Sequence, residues 1–396
     1  MNSNSVLSPR RIARLLGLVV ALAGLAYLAK FGYMVVRYKA YIWISGYAAS
    51  AFRAEERVPD SSKHLLFLMV DHYEPGKGAD AGTRSNRWVE KFRKIADGHR
   101  DASGRRFRYT WFYPFDEHQA DVVAGLAQAA REGYGEVELH WHHPPTISAR
   151  FPGMLQEALA WFRPYGVMGP SGPDGRSRFG FIHGLWALDG SQARCGVNRE
   201  LDILFQAGCY ADFTFSTAGT ISQPRKINSI YYATDTDEPK SYDDGDDVRV
   251  GRRVDDRLMI FEGPISIDWT RLRLEYASVE NYTVPTPARI SRWIDTNIHV
   301  KGRPEWVFVK VYSHGIQSED VILDRYLDPM LSDLSRICRD RGITLHYVTA
   351  REAYNIVKAA EDGKTGDPEA FLDYRVPAPA TATALEEPAP KSDAPR

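Results

Sequence analysis

Short apolar runs, several of them ending in histidine or acid, recur through the middle of the chain. HLLFLMV at 64–70, FRYTWFY at 107–113, EVELHW at 136–141, RFGFIHGLW at 178–186, ADFTFS at 211–216, RLMIFEG at 257–263, EWVFVKVYS at 305–313 and ITLHYVT at 343–349 each have the length and composition of a strand. Between them the pattern predicts helices over 86–97, 116–132, 153–163, 197–207, 287–298, 319–341 and 350–360, with Asp116, Ser318 and Thr349 placed to cap three of them. Strands alternating with helices predict a parallel sheet with crossover connections, and seven or eight such strands fit an α/β barrel better than a small open sheet.

Two segments break the alternation. The stretch from Asp235 to Asp256 is too polar for a core and reads as a long solvated loop. Near the N-terminus the pattern is instead uniformly apolar: LLGLVVALAGLAYLA runs from Leu15 to Ala29 without a charge, and FGYMVV carries it past Lys30 to Val36. Residues 15–36 thus reach the ~20 needed to span a bilayer, with Lys30 snorkelling. No small-x-small cleavage site follows the run, which favours an uncleaved anchor over a removed signal peptide. Arg10, Arg11 and Arg14 vote for a cytoplasmic residue 1–14 segment, although Lys30, Arg37 and Lys39 nearly balance them. Residues 37–60 follow as an aromatic juxtamembrane linker suited to the membrane interface or to packing on the domain. The expected domain occupies 61–362, and 363–396, rich in Pro and Ala towards its end, is the expected disordered tail.

Composition narrows the function by exclusion. With 44% apolar and 26% charged residues the chain is an ordinary globular protein, and a net charge of -1 supplies no field to attract nucleic acid. The three cysteines, Cys195, Cys209 and Cys338, contain no C-x-x-C pair, so a thiolate zinc site is not expected, although Cys195 and Cys209 could pair in an oxidising compartment. No G-x-S-x-G elbow, P-loop or G-x-G-x-x-G fingerprint appears.

The chemistry lies where strands end, because in α/β barrels the reacting groups sit at the carboxyl ends of the strands. LLFLMV runs directly into Asp71 and His72, followed by Glu74. EVEL leads to His140, Trp141, His142 and His143: on an extended chain His140 and His142 share a face, so both can reach one metal ion. Three imidazoles in four residues are costly to bury unless a metal and acceptors satisfy their nitrogens. WVFVKVYS delivers His314 and then Gly315. GFI leads to His183, with Trp186, Asp189, Arg194, Cys195 and Asn198 close behind; His183, Trp186, Asp189, Arg194 and Asn198 are the candidate substrate contacts. Carboxylate, clustered imidazoles and a distant histidine suit metal-assisted hydrolysis, with Asp71 as base and His314 as acid.

These strand-end motifs resemble the polysaccharide deacetylases, the NodB-homology or carbohydrate esterase family four group, as an outlying bacterial branch of the glycoside hydrolase/deacetylase barrel superfamily. Val70-Asp71-His72 stands where that family has an Asp-Asp pair, which implies Asp71 as base and His72 as metal ligand. His140, His142 and His143 before Pro144 stand where it has two metal-binding histidines; His140 and His142 are preferred and His143 is the alternate. Val309 to His314 is similar to its late strand, which implies His314 as acid. The resemblance implies a distorted barrel, removal of N-acetyl groups from amino sugars of an envelope or exported polysaccharide, and a place beside polysaccharide export or synthesis machinery. It also implies an inner-membrane, single-pass protein with a periplasmic catalytic domain. Zinc is the first metal on imidazole preference. Two alternatives remain: glycosidic cleavage using Asp71 with Glu74, Glu117 or Asp189, and a catalytically silent glycan-binding protein.

Overall fold

The computed structural model describes residues 8–51, 57–169, 172 and 174–379. Its centre is a ten-stranded, mostly parallel sheet. In chain order the strands are β1 (His64–His72), β2 (Tyr109–Pro114), β3 (Gly135–Trp141), β4 (Phe179–His183), β5 (Cys209–Asp212), β6 (Ile230–Ala233), β7 (Gly245–Asp247), β8 (Met259–Phe261), β9 (Ile265–Asp268), β10 (Arg273–Tyr276), β11 (Trp306–Ser313) and β12 (Thr344–Tyr347). The order across the sheet is β11-β1-β2-β3-β4-β5-β8-β6-β7, with β12 also pairing β1, while β9 and β10 form a separate antiparallel hairpin.

The helices are α1 (Pro9–Arg37), α2 (Ala40–Ala51), α3 (Ala81–Gly98), α4 (Ala120–Arg131), α5 (Phe151–Phe162), α6 (Glu200–Ala207), α7 (Pro287–Asp295), the single turn α8 (Glu319–Val321), α9 (Asp328–Arg341) and α10 (Ala350–Glu361). The expected 319–341 helix is interrupted by a π-helical stretch, Ile322–Leu327. Thr349 caps α10 in a full capping box with Glu352. Asp116 does not cap, since its carboxylate is occupied by His142 and α4 begins at Ala120; Ser318 sits at an N-cap without a side-chain bond.

Alternation along the strands splits the core in two. Leu65, Phe67 and Met69 of β1 face one cluster shared with α3, α4, α5, α7 and α9, while Leu66, Leu68 and Val70 face a second shared with Phe112, Ile182, Phe213, Phe308 and α10. The sheet does not close as a hydrogen-bonded barrel. The free side of β8 is taken by antiparallel β6, and no ladder joins β8 to β11 among the described residues. Instead Lys310 of β11 reaches across to the carbonyl oxygens of Phe213, at 2.5 Å, and Phe215.

α1 is long and apolar enough to cross a membrane and, apart from its last turns, projects away from the domain. Met34 near its end, with Ala40 and Trp43 of α2, packs on Ile227 and on Ile265, Ile267 and Leu274 of the β9–β10 hairpin. α2 thus belongs to the domain surface. Gly46 makes this seat possible, since a Cβ there would run into the Arg225 carbonyl oxygen. At the other end the chain stays packed beyond residue 363, where the tail was expected to begin. Phe371, Leu372 and Tyr374 lie on the second cluster and Val376 is buried, because Arg351 and Asn355 of α10 bind the carbonyls of Leu372 and Val376. The Pro/Ala-rich residues 380–396 lie outside the described residues.

Candidate metal centre

Because β1, β3, β4 and β11 are parallel neighbours or next neighbours, their carboxyl ends lie along one edge, and the residues that follow them meet there. Glu74, two residues beyond His72, is the hub. Its Oε1 lies 2.8 Å from His140 Nε2 and 3.2 Å from His142 Nε2, and its Oε2 accepts from Gln317. The His72 ring lies 4.8 Å from that of His140 and 4.6 Å from that of His314 between centroids. Two overlapping groups therefore have metal-ligand spacing: His72, Glu74 and His314; and Glu74, His140 and His142.

The ring nitrogens are committed in a way that favours a cation. His140 Nδ1 faces the Ile182 carbonyl oxygen at 2.8 Å, and His142 Nδ1 lies 3.4 Å from Asp116 Oδ1, which also accepts the His142 backbone N–H. A carbonyl or carboxylate oxygen only accepts, so in the neutral ring the proton sits on Nδ1 and the Nε2 lone pair points at Glu74. A tetrahedral site with bonds of 2.0–2.1 Å separates its ligand atoms by about 3.3 Å, close to what these atoms show. The donor set fits a divalent ion. Two further groupings, around His346, lie at the opposite ends of the strands.

Charge in the site is strongly perturbed. Burial pushes the Asp71 carboxyl up to about 7, against the Gly315 N–H and Ser313 Oγ that donate to its Oδ1 at 2.6 and 2.7 Å; Oδ2 has no partner. Burial would lower the His142 imidazole, but Asp116 and Glu74 outweigh it and raise it to about 9. Burial likewise opposes protonation of His314, yet Glu280, 2.7 Å from its Nδ1, raises it. Burial, then His314 and His140, hold His72 well below the usual imidazole range. Burial disfavours the Glu74 anion, but His140 and His142 hold its carboxyl far below the usual carboxylate range. Glu117, whose carboxylate accepts the Gly76 N–H, is pushed up to about 7 by burial and by Glu74 and Asp116.

His72, His140, His142 and His314 are thus gathered around Glu74 at one strand edge, whereas the Asp71 side chain turns to the other face of β1, toward Ser313, Gly315 and Tyr109. His143 is not the alternate ligand here: its ring turns to the other side of β3, with Nε2 3.0 Å from both His183 Nε2 and Glu200 Oε1. Of the candidate substrate contacts, only Trp186 lies against these imidazoles, its ring 5.8 Å from His72 and 6.1 Å from His314. His183 is fully buried. Asp189 is also buried, and accepts from Ser241 and from the backbone N–H of Glu200, so it secures the loop. Asn198 ties the same loop to the Asp237 carbonyl, and Arg194 is exposed on it. The cysteines are free and buried, so Cys195 and Cys209 do not pair. The sequence reading missed Glu74 as a ligand, along with Glu280, Gln317 and Glu200; Glu74 alone carried a signal, standing at i+2 from His72 on extended chain.

Neither models of known protein families nor the curated proteins contain a match to this chain.

Proposed function

We propose that this protein is a membrane-anchored, metal-dependent hydrolase of the polysaccharide deacetylase type, removing N-acetyl groups from amino sugars of an envelope or exported glycan. The observation that carries the reading is the convergence of His72, His140, His142 and His314 on one carboxylate, Glu74, at the carboxyl ends of parallel strands, where β1 also ends in Asp71. We read the open sheet as a distorted form of that family's barrel, prefer zinc on imidazole preference, and assign the catalytic domain to the periplasmic side near glycan export or synthesis machinery.

Glu74 with His140 and His142, and His72 beside them, would hold the ion. A divalent cation there supplies Lewis-acid polarisation of an amide carbonyl. Asp71, with its carboxyl near 7, is poised to take a proton from the attacking water at neutral pH. Gly315 leaves its free Oδ2 unobstructed: a Cβ would come within 2.9 Å of that oxygen and 3.0 Å of Tyr109 Oη. His314, its Nδ1 held by Glu280, presents Nε2 to protonate the departing amine. Trp186, half-buried beside His72 and His314, offers a ring face for the apolar side of a sugar.

The test uses the full chain in detergent, loaded with zinc, on a polymer of acetylated glucosamine. Acetate release that is lost in His140→Ala is the expected result. Release of reducing ends instead points to glycosidic cleavage, and a zinc-loaded protein inert on such polymers refutes the reading.

A further inference from the structure

On the other face of β3 a second set of ring nitrogens meets, fully enclosed. His143 follows β3 and His183 ends β4; their Nε2 atoms are 3.0 Å apart, and both face Oε1 of Glu200, the first residue of α6, at 3.0 and 3.2 Å. The side chains of all three have no exposed surface. The other Glu200 oxygen accepts the Asp189 N–H at 2.7 Å.

The far nitrogen of each ring decides where the protons are. His143 Nδ1 lies 3.1 Å from the Pro144 carbonyl oxygen and His183 Nδ1 2.6 Å from that of Gly184. Carbonyl oxygens only accept, so both Nδ1 atoms carry hydrogen and both neutral rings turn an Nε2 lone pair inward. Two lone pairs and a carboxylate oxygen thus confront one another in a site with no water access. One added proton would make an imidazolium and relieve two of the three contacts. A metal ion satisfies all three together, and their separations approach the tetrahedral edge of about 3.3 Å. A fourth candidate stands close by: Cys195 Sγ lies within 4.8 Å of a ring nitrogen of each histidine, and its S–H donates to the His143 carbonyl oxygen at 2.8 Å.

We propose that His143, His183, Glu200 and Cys195 bind a zinc ion in a closed, structural site separate from the Glu74 centre. Four protein ligands and complete burial leave no open position for substrate, as in structural zinc sites. What the ion would hold is visible in the chain between its ligands. Leu185, Trp186, Asp189 and Arg199 all take left-handed backbone conformations, with φ of 56°, 54°, 50° and 61°, a costly set for non-glycine residues unless the ends are pinned. His183 precedes this loop, Cys195 lies within it and Glu200 follows it, so the ion clamps the loop that carries Trp186 to the imidazoles of the first site.

Metal analysis of the full chain, purified in detergent and dialysed against buffered zinc, separates the sites. Two equivalents per chain are expected for the native protein, one for His140→Ala and one for His183→Ala. A native protein that binds a single equivalent, all of it lost in His140→Ala, overturns the proposal. Because His183→Ala removes a core side chain, cobalt supplies an independent reading. The cobalt-loaded native protein and His140→Ala should both show a thiolate-to-cobalt charge-transfer band that Cys195→Ser abolishes. No such band, or a band unchanged in Cys195→Ser, is incompatible with Cys195 as a ligand and refutes the four-residue site.

Discussion

Asp71→Asn should make the protein more stable above neutral pH while removing its activity. Asp71 is completely buried, and its carboxyl titrates near 7 in the folded chain against an ordinary 3.8. Between these values the fold holds a proton that the unfolded chain releases, so stability falls as pH rises from about 4 to about 7 and is level above. At about 1.4 kcal/mol per pH unit the full cost of the buried anion is about 4 kcal/mol. Asparagine can still accept from the Ser313 hydroxyl and the Gly315 N–H, yet carries no charge to desolvate. With an unfolding entropy of roughly 0.7 kcal/mol/K for a domain of this size, the gain corresponds to roughly 6 °C at pH 8, shrinking to nothing near pH 4. Circular-dichroism melts of chelator-treated native and Asp71→Asn protein across this range measure it; chelation matters because a cation beside His314 would itself favour the Asp71 anion. A variant that is less stable at pH 8, or a difference that does not change with pH, would refute the assignment of a destabilised carboxylate.

Four further outcomes are expected. Gly315→Ala, by intruding on Asp71 Oδ2, should cut kcat at least tenfold with little loss in melting temperature, measured by acetate release. Glu280→Gln removes the anion that raises the His314 imidazole, so the alkaline limb of kcat/KM should move to lower pH; an unmoved limb excludes His314 as the acid. Glu74→Gln weakens the carboxylate shared by the ligand histidines and should lower zinc affinity by a factor of 10–100, roughly what loss of a key metal partner costs, read by competition with a chromogenic chelator. Gly46→Leu should unseat α2 from the Arg225 carbonyl and make the 40–50 segment markedly more sensitive to protease.

The strands that shape the site are those whose apolar runs are longest and end most sharply. β1 and β11 are eight or nine residues with nearly every position buried, so composition alone marks them, and the polar residue that terminates each stands out. β6, β7, β9 and β10 escaped detection because strands of three or four residues carry too little pattern, and charged residues in β10 and acids in β7 mask what alternation there is. The tail boundary was misplaced because its anchoring comes from Arg351 and Asn355, residues that read as polar helix surface and are buried by tertiary contact. The carboxylates of the site were hidden for the same kind of reason. Glu200 in a first helical turn is what any helix favours, and Glu280 lies in a segment without periodicity, so neither announces its partner.

The docking of α2 on the β9–β10 hairpin, with Trp269 stacked on Phe31 of α1 and receiving the Tyr27 hydroxyl at its carbonyl, ties the long apolar helix to the domain by side-chain packing. A catalytic domain on a flexible leash sweeps a hemisphere above the bilayer and meets polymer at any height and angle. Here the geometry is that of a bracket. On the function proposed above, with α1 spanning a bilayer, the mouth of the site would keep one height and one azimuth relative to the lipid surface, and a glycan chain would be processed only along the line on which it is fed past that mouth. Lengthening the Tyr38–Lys39 turn would be felt as lost access to long, oriented polymer, while turnover of short soluble oligomers stays the same.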